Sequence, residues 1–188
     1  MSAVAIIPAR GASVRVARKN ILNFMGKPII AYSIEAARAS ELFERIVVST
    51  DDNEIADVAH EYGASILRRA PDDGVIGTQE VTRNALLELP TFDYACCVYA
   101  TAPLMTANDL RHGFEMLRAQ PDRPFAYPVD LEGNDAGQWY WGRVADFLAR
   151  TPLHRSVRVL TPEARVCDIN TESDWQRAER MYEALHGK

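Results

Sequence analysis

The sequence predicts an α/β protein: a mostly parallel sheet with helices on both faces. Three observations carry this. Short apolar runs alternate with longer helical patterns along the whole chain, the rhythm of strands joined by crossover helices. One run, Tyr94–Tyr99 (YACCVY), is apolar throughout, as a strand buried on both faces can be. Helix start signals stand in the expected places, with Thr106 three residues before Asp109 and Thr171 just before Glu172.

Taken in order, Val4–Pro8 (VAIIP) is the first strand. Pro28–Ala39 is a helix with Pro28 in its first turn, where a missing N–H costs nothing. Arg45–Thr50 is a strand. Asn53–Tyr62 is a helix with Asp51 or Asp52 at its cap and Gly63 as its stop. Ala64–Leu67 is a short strand, Thr78–Leu89 a helix, Tyr94–Tyr99 a strand and Ala107–Arg118 a helix. Phe125–Val129, Trp139–Gly142 and Val157–Leu160 are strands, and Glu172–Leu185 is the closing helix. There is no internal repeat or low-complexity linker, and 188 residues suit one domain spanning 1–188. Ligands of such sheets bind beyond the carboxyl ends of the strands. The RGAS turn after the first strand lies at that edge.

Composition narrows the function. Apolar residues make up 47% and charged residues 25% of the chain, a globular balance. A net charge of -5 argues against a nucleic-acid partner, which asks for a basic domain. No apolar stretch reaches the roughly 18 residues of a membrane span, and MSAVAIIPAR lacks the layout of a signal peptide. A cytoplasmic protein with no membrane partner is therefore expected. Cys96, Cys97 and Cys167 are odd in number and lack zinc spacing, which fits buried reduced thiols. His60, His112, His154 and His186 are scattered, and none is near Ser13 in sequence, so no hydrolase triad is read.

The chemistry concentrates in Ala5–Asn20, AIIPARGASVRVARKN. Gly11 lets the backbone approach a ligand, Ser13 adds a hydroxyl, and consecutive N–H groups in such a turn form an anion-binding concavity. Arg10, Arg15, Arg18 and Lys19 can neutralise phosphate oxygens. Neither GxxxxGK[ST] nor GxGxxG is present. From these residues alone, an ordinary turn with a solvated basic face is an equally good reading.

A wider pattern decides. IPARGASVRVARKN resembles the signature IPARGGSKRIPRKN of the acylneuraminate cytidylyltransferases, which activate nonulosonic acids as CMP sugars. The resemblance continues in FMGKPIIAYSIEAA, VVSTDDNEIADVAHEYGA, YATAPLMTANDL, DAGQWYWG and VCDINTESDW, and so covers nearly the whole chain. YATAP, DAGQWYWG and VCDINTESDW are most similar to the branch acting on pseudaminic acid. The resemblance implies a Rossmann-like fold of the nucleotide-diphospho-sugar transferase type. It also implies attack of the sugar's anomeric hydroxyl on the α-phosphate of CTP, with pyrophosphate leaving and Mg2+ assisting.

Carried over to this chain, the resemblance gives catalytic roles to Arg10, Lys19 and Asp168. The nucleotide would be held by Ala9, Arg10, Gly11, Ser13, Arg15, Lys19, Asn20, Arg69, Asp73, Thr78 and Thr101. Tyr99, Gln138, Trp139 and Tyr140 would face the sugar, and Asp168 with Asn170 would hold the metal. Asp174 reads instead as helix N-terminal charge. Three departures from the family pattern stand out: Val14 where a lysine is usual, Asn170 where a second acid is usual, and a short middle. A few dozen residues that form the family's dimerisation extension are missing near 130–134, so a monomer or weak homodimer is expected. The alternative to an enzyme is a non-catalytic relative that binds nucleotide or serves as an interaction module.

Overall fold

In the computed structural model, which describes residues 1–12, 16–71 and 76–187, the strands in chain order are β1 (Ala3–Pro8), β2 (Asn23–Phe24), β3 (Lys27–Pro28), β4 (Arg45–Thr50), β5 (Ser65–Arg68), β6 (Tyr94–Val98), β7 (Phe125–Val129), β8 (Trp139–Arg143) and β9 (Val157–Leu160). The helices are α1 (Ile29–Ser40), α2 (Asn53–Glu61), α3 (Thr78–Glu88), α4 (Ala107–Ala119), α5 (Val144–Leu148) and α6 (Glu172–His186). Every long element read from the sequence is present, with ends within a residue or two. The β2–β3 hairpin and α5 leave no mark in the sequence pattern, because two-residue strands and a five-residue helix are too short to show a period.

Seven strands form one sheet in the order β5-β4-β1-β6-β8-β7-β9. The pairs β1–β4, β1–β6, β4–β5 and β7–β9 are parallel, whereas β8 runs antiparallel to both neighbours. The sheet is therefore mostly parallel, with β8 the single reversed strand.

Strand alternation sends side chains into two layers. Ala5, Ile7, Cys96, Val98, Trp139 and Trp141 pack with Ile34 of α1 and Leu110 and Phe114 of α4. Val4, Ile6, Cys97, Phe125 and Tyr140 pack with Ala85 and Leu86 of α3 and Phe147 of α5. Adjacent Cys96 and Cys97 thus enter opposite layers. Burial raises both thiols, that of Cys97 to about 11, so neither is a thiolate nucleophile near neutral pH. A third cluster joins Phe24, Tyr32, Leu104, Ile169 and Trp175, fastening α6 across the hairpin.

Caps fall where the sequence places them. Asp52 accepts from Ile55 N–H at 2.9 Å to start α2. Thr106–Asp109 and Thr171–Asp174 form reciprocal capping boxes on α4 and α6. Asp174 is accordingly a helix-start residue, with its carboxyl held low chiefly by Thr171.

The carboxyl ends of β1, β4, β5, β6, β7 and β9 share one edge of the sheet with the amino end of β8. The loops there carry residues 9–12, 16–20, 51–52, 69, 99–102, 130–138 and 161–170. Between β7 and β8 the chain closes on itself. Asp130 Oδ1 accepts from the N–H groups of Glu132 at 2.9 Å and Asn134 at 2.8 Å, and Asp135 bridges back to Val129. Among the described residues, no helix is long and apolar enough to cross a membrane.

Candidate active site

The loop after β1 is braced from beneath by the loop after β4. Ala9 is buried and donates its N–H to Ser49 O at 2.9 Å. Gly11 N–H donates to Asp51 Oδ1 at 2.8 Å. A Cβ on Gly11 would lie 2.6 Å from Asp52 Oδ2, so only glycine lets the turn sit this close to that carboxylate. Asp52 also takes a forked pair of bonds from Arg18, at 2.5 and 3.0 Å. Arg18 reaches Glu54 at 2.5 Å as well. Arg18 is thus a strut of the loop, its guanidinium committed to the Asp52 and Glu54 carboxylates.

Asn20 is buried and donates its amide to Arg10 O at 2.9 Å, which closes the loop on itself. This amide contact is to the backbone, so Asn20 fixes the carrier of Arg10. The Arg10 guanidinium is half-buried and has no hydrogen-bond or ion-pair partner among the described residues. A fixed backbone with an uncommitted guanidinium suits an anionic ligand. Ser13, Val14, Arg15 and Asp73 lie outside the described residues.

Lys19 carries the loop across the edge. Its Nζ donates to Ile169 O at 2.5 Å, between Asp168 and Asn170. Asp168 is exposed, and its Oδ2 accepts from Asn170 Nδ2 at 2.6 Å. The amide is therefore turned toward the carboxylate and orients it. Gly137 packs against the other side of this acid: it has φ +64, and a Cβ there would lie 3.0 Å from Asp168 Cγ. An exposed carboxylate with oxygen-bearing neighbours is the donor chemistry of Mg2+ or Mn2+, which keep several waters. Among the described residues, no group of three or more His, Cys, Asp or Glu gathers into a closed metal site.

Beside these residues opens a cavity of about 250 Å3 whose walls include Thr78, Tyr99, Tyr127, Asp135, Tyr140 and His154. Tyr99 and Tyr140 meet edge to face, with ring centroids 6.3 Å apart. Tyr140 donates its hydroxyl to Thr78 Oγ1 at 3.2 Å. Burial pushes both phenols up, so they stay protonated donors. The Tyr99 backbone is clamped by Ser33 Oγ on its carbonyl at 2.7 Å and by its own N–H on Gln138 O at 2.9 Å.

Of the aromatic cluster read from DAGQWYWG, Tyr140 lines this cavity and Trp139 does not. Trp139 is 1% exposed, and its ring fills the space left by Gly113 of α4, where a Cβ would meet it at 2.2 Å. Strand alternation turns it into the opposite layer from Tyr140, which corrects its reading as a sugar contact. Gln138 is also buried. It donates Nε2 to Arg165 O at 2.5 Å, while Oε1 has no hydrogen-bond partner. Thr78, read as a nucleotide residue, begins α3 on the wall of this aromatic cavity. Arg69 directly follows β5, with its N–H on Thr50 O at 3.1 Å. Thr101 is half-buried in the turn after β6.

Sequence reasoning passed over Asp51, Asp52 and Asp135 as parts of this edge. Asp135 carries no local signal, because the positive φ of Gly137 that turns it to the cavity shows only in the structure. Asp51 and Asp52 looked like helix caps, and only pairing of β1 with β4 brings them under the first loop.

The profile of the family described as Cytidylyltransferase matches residues 4–182. A pseudaminic acid cytidylyltransferase of Campylobacter jejuni subsp. jejuni is 35% identical over 229 aligned positions, covering 99% of this chain and 98% of that protein. Since this chain has 188 residues, a few dozen positions of that relative have no counterpart here. The fold is similar to that of CMP:2-keto-3-deoxy-manno-octonic acid synthetase complexed with CTP, with TM-score 0.78, 15% identity, and coverage of 98% of this chain and 100% of that one. It is also similar to a Mycobacterium tuberculosis protein in complex with manganese, with TM-score 0.67, 13% identity, and coverage of 96% and 99%.

Proposed function

Because this chain belongs to the cytidylyltransferase family, we propose that it is a CTP-dependent enzyme that activates a nonulosonic acid, pseudaminic acid first, to its CMP-sugar with release of pyrophosphate. The observation that carries the substrate is the end-to-end similarity to a pseudaminic acid cytidylyltransferase. The geometry supports it. A braced anion loop with an uncommitted Arg10 shares one sheet edge with Asp168 and with a cavity walled by tyrosines.

Arg10, Lys19 and the turn at Gly11 hold the triphosphate, and Ser13 and Arg15 extend that contact. Asn20 and Arg18 keep the loop in place. Ala9, Arg69, Asp73 and Thr101 frame the base and ribose. Asp168, oriented by Asn170, would hold a divalent ion, Mg2+ in this reading, which would supply charge neutralisation for the transferring phosphate. Tyr99, Tyr140 and Gln138 place the sugar's anomeric hydroxyl for in-line attack on the α-phosphate. Such transfer is positioning plus electrostatic stabilisation.

The protein acts in the cytoplasm as one domain. The tight turn at 130–134 replaces the family's dimerisation extension, so light scattering is expected to give a monomer or a weak homodimer. The function is tested by pyrophosphate release with Mg2+ and CTP. Release that requires pseudaminic acid, with less or none from N-acetylneuraminic acid, is expected. No release from either acid by a folded sample overturns the reading.

A further inference from the structure

Asp135 stands in the wall of the tyrosine cavity, together with Thr78, Tyr99, Tyr127, Tyr140 and His154. It is exposed to that space and takes part in no ion pair among the described residues. Its backbone is fixed on both sides, by the bridge to Val129 and by the turn at Gly137. Its Oδ1 accepts from Gly137 N–H at 2.8 Å, and the other carboxylate oxygen has no hydrogen bond among the described residues. A rigid carboxylate with no ion-pair partner among the described residues therefore stands in a cavity whose other walls are the Tyr99, Tyr127 and Tyr140 rings, the Thr78 hydroxyl, the Gln79 amide, Leu153 and the His154 imidazole. Its charge is felt by Tyr99, and it stands in the field of Asp168.

Two consequences follow for an acceptor that is itself an acid. A carboxylate accepts strongly from hydroxyl or amide N–H donors. It also repels the acceptor's own carboxylate, and unfavourable contacts of that kind select orientation as firmly as favourable ones. We propose that Asp135 is a specificity-determining residue of the acceptor cavity: it binds N–H or O–H donors on the sugar ring and turns the acceptor's carboxylate away from itself, toward the cationic loop of Arg10 and Lys19. This rests on the proposed function, because it presumes that the cavity takes the sugar.

The test is calorimetric binding of pseudaminic acid to the full chain in the presence of Mg2+ and CDP, which cannot release pyrophosphate. Asp135→Asn keeps an acceptor for Gly137 N–H and removes the charge, and Asp135→Ala removes both. About tenfold weaker acceptor binding is expected for Asp135→Asn and more for Asp135→Ala. CDP affinity and Mn2+ affinity are expected to stay within about twofold, and the preference for pseudaminic over N-acetylneuraminic acid should shrink. Unchanged or tighter acceptor binding by Asp135→Asn overturns the inference. Equal losses in Mn2+ or CDP affinity overturn it too, by placing Asp135 at the ion or the nucleotide. If the unaltered chain releases pyrophosphate but the variants bind acceptor normally, only this inference fails. If the unaltered chain neither binds the acceptor nor releases pyrophosphate, the functional reading fails and takes this one with it.

Discussion

The loop that follows β1 and the cavity that follows β6 share one edge of the sheet, but charge holds the first and burial holds the second. In the loop, Gly11, Arg18 and Asn20 are tied to Asp51, Asp52 and the Arg10 carbonyl. In the cavity, Tyr99 and Tyr140 are set by strand position and packing, with a single hydroxyl bond from Tyr140 to Thr78. The difference shows in what each region leaves available. The loop uses one arginine to free another for ligand. The cavity leaves one carboxylate exposed among rings. A count of basic residues does not separate the two arginines, since only their partners do.

The largest effect that would break this comparison is expected at Arg10. Arg10→Ala removes a guanidinium with no partner among the described residues, so thermal stability should hold while kcat/KM falls about 100-fold or more, the scale of losing one charge-stabilising donor. Pyrophosphate-release kinetics beside a melting curve check this. A large drop in melting temperature with a small kinetic loss would place Arg10 with Arg18 among the struts.

An intermediate effect is expected at Gly137. Gly137→Ala puts a Cβ 3.0 Å from Asp168 Cγ on a residue with φ +64, a conformation that costs an ordinary residue about 1–2 kcal/mol. Turnover should fall roughly tenfold as Asp168 shifts, an expectation scaled to misplacement of a positioned group. Gly113→Ala gives the contrast. Its Cβ would meet the Trp139 ring at 2.2 Å in the core, which should cost about 1–3 kcal/mol of stability and leave the KM for CTP unchanged. Equal kinetic losses from the two glycines would erase the distinction between site and core.

Most of the fold was legible because its strands are apolar runs and its helices carry caps such as Thr106 and Thr171. The loop was legible as a motif, since Arg10, Gly11 and Lys19 fall within one ten-residue stretch. What was not legible depended on distant pairing or on facing. Asp51 and Asp52 reach Gly11 and Arg18 only through the β1–β4 register. Trp139 and Tyr140 are neighbours in sequence, but β8 sends them into opposite layers, so a reading of the whole aromatic segment as sugar contacts included one core residue. Asp135 needed the turn at Gly137 to bring it to the cavity.

The smallest expected effect is the most direct probe of the strut. The Arg18 guanidinium holds the Asp52 carboxyl down at about 2, below its ordinary 3.8, with help from Ile55 N–H and against the opposing effect of burial. A carboxyl lowered by folding stabilises fully above its unfolded value, near pH 4, and that contribution is lost as pH falls through about 2. Arg18 is 38% exposed in this pair, so solvent screening reduces the contribution to about 1 kcal/mol. Arg18→Ala should therefore lower the melting temperature by about 2–4 °C at pH 7, with the same gap at pH 5. The gap should narrow below pH 4 and close as Asp52 becomes protonated in the unaltered chain. Melting curves of both chains across this range check it. A gap that persisted undiminished at pH 2 would mean that Arg18 supports the loop through packing of its side chain, and that the charge pairing with Asp52 is not what holds the loop.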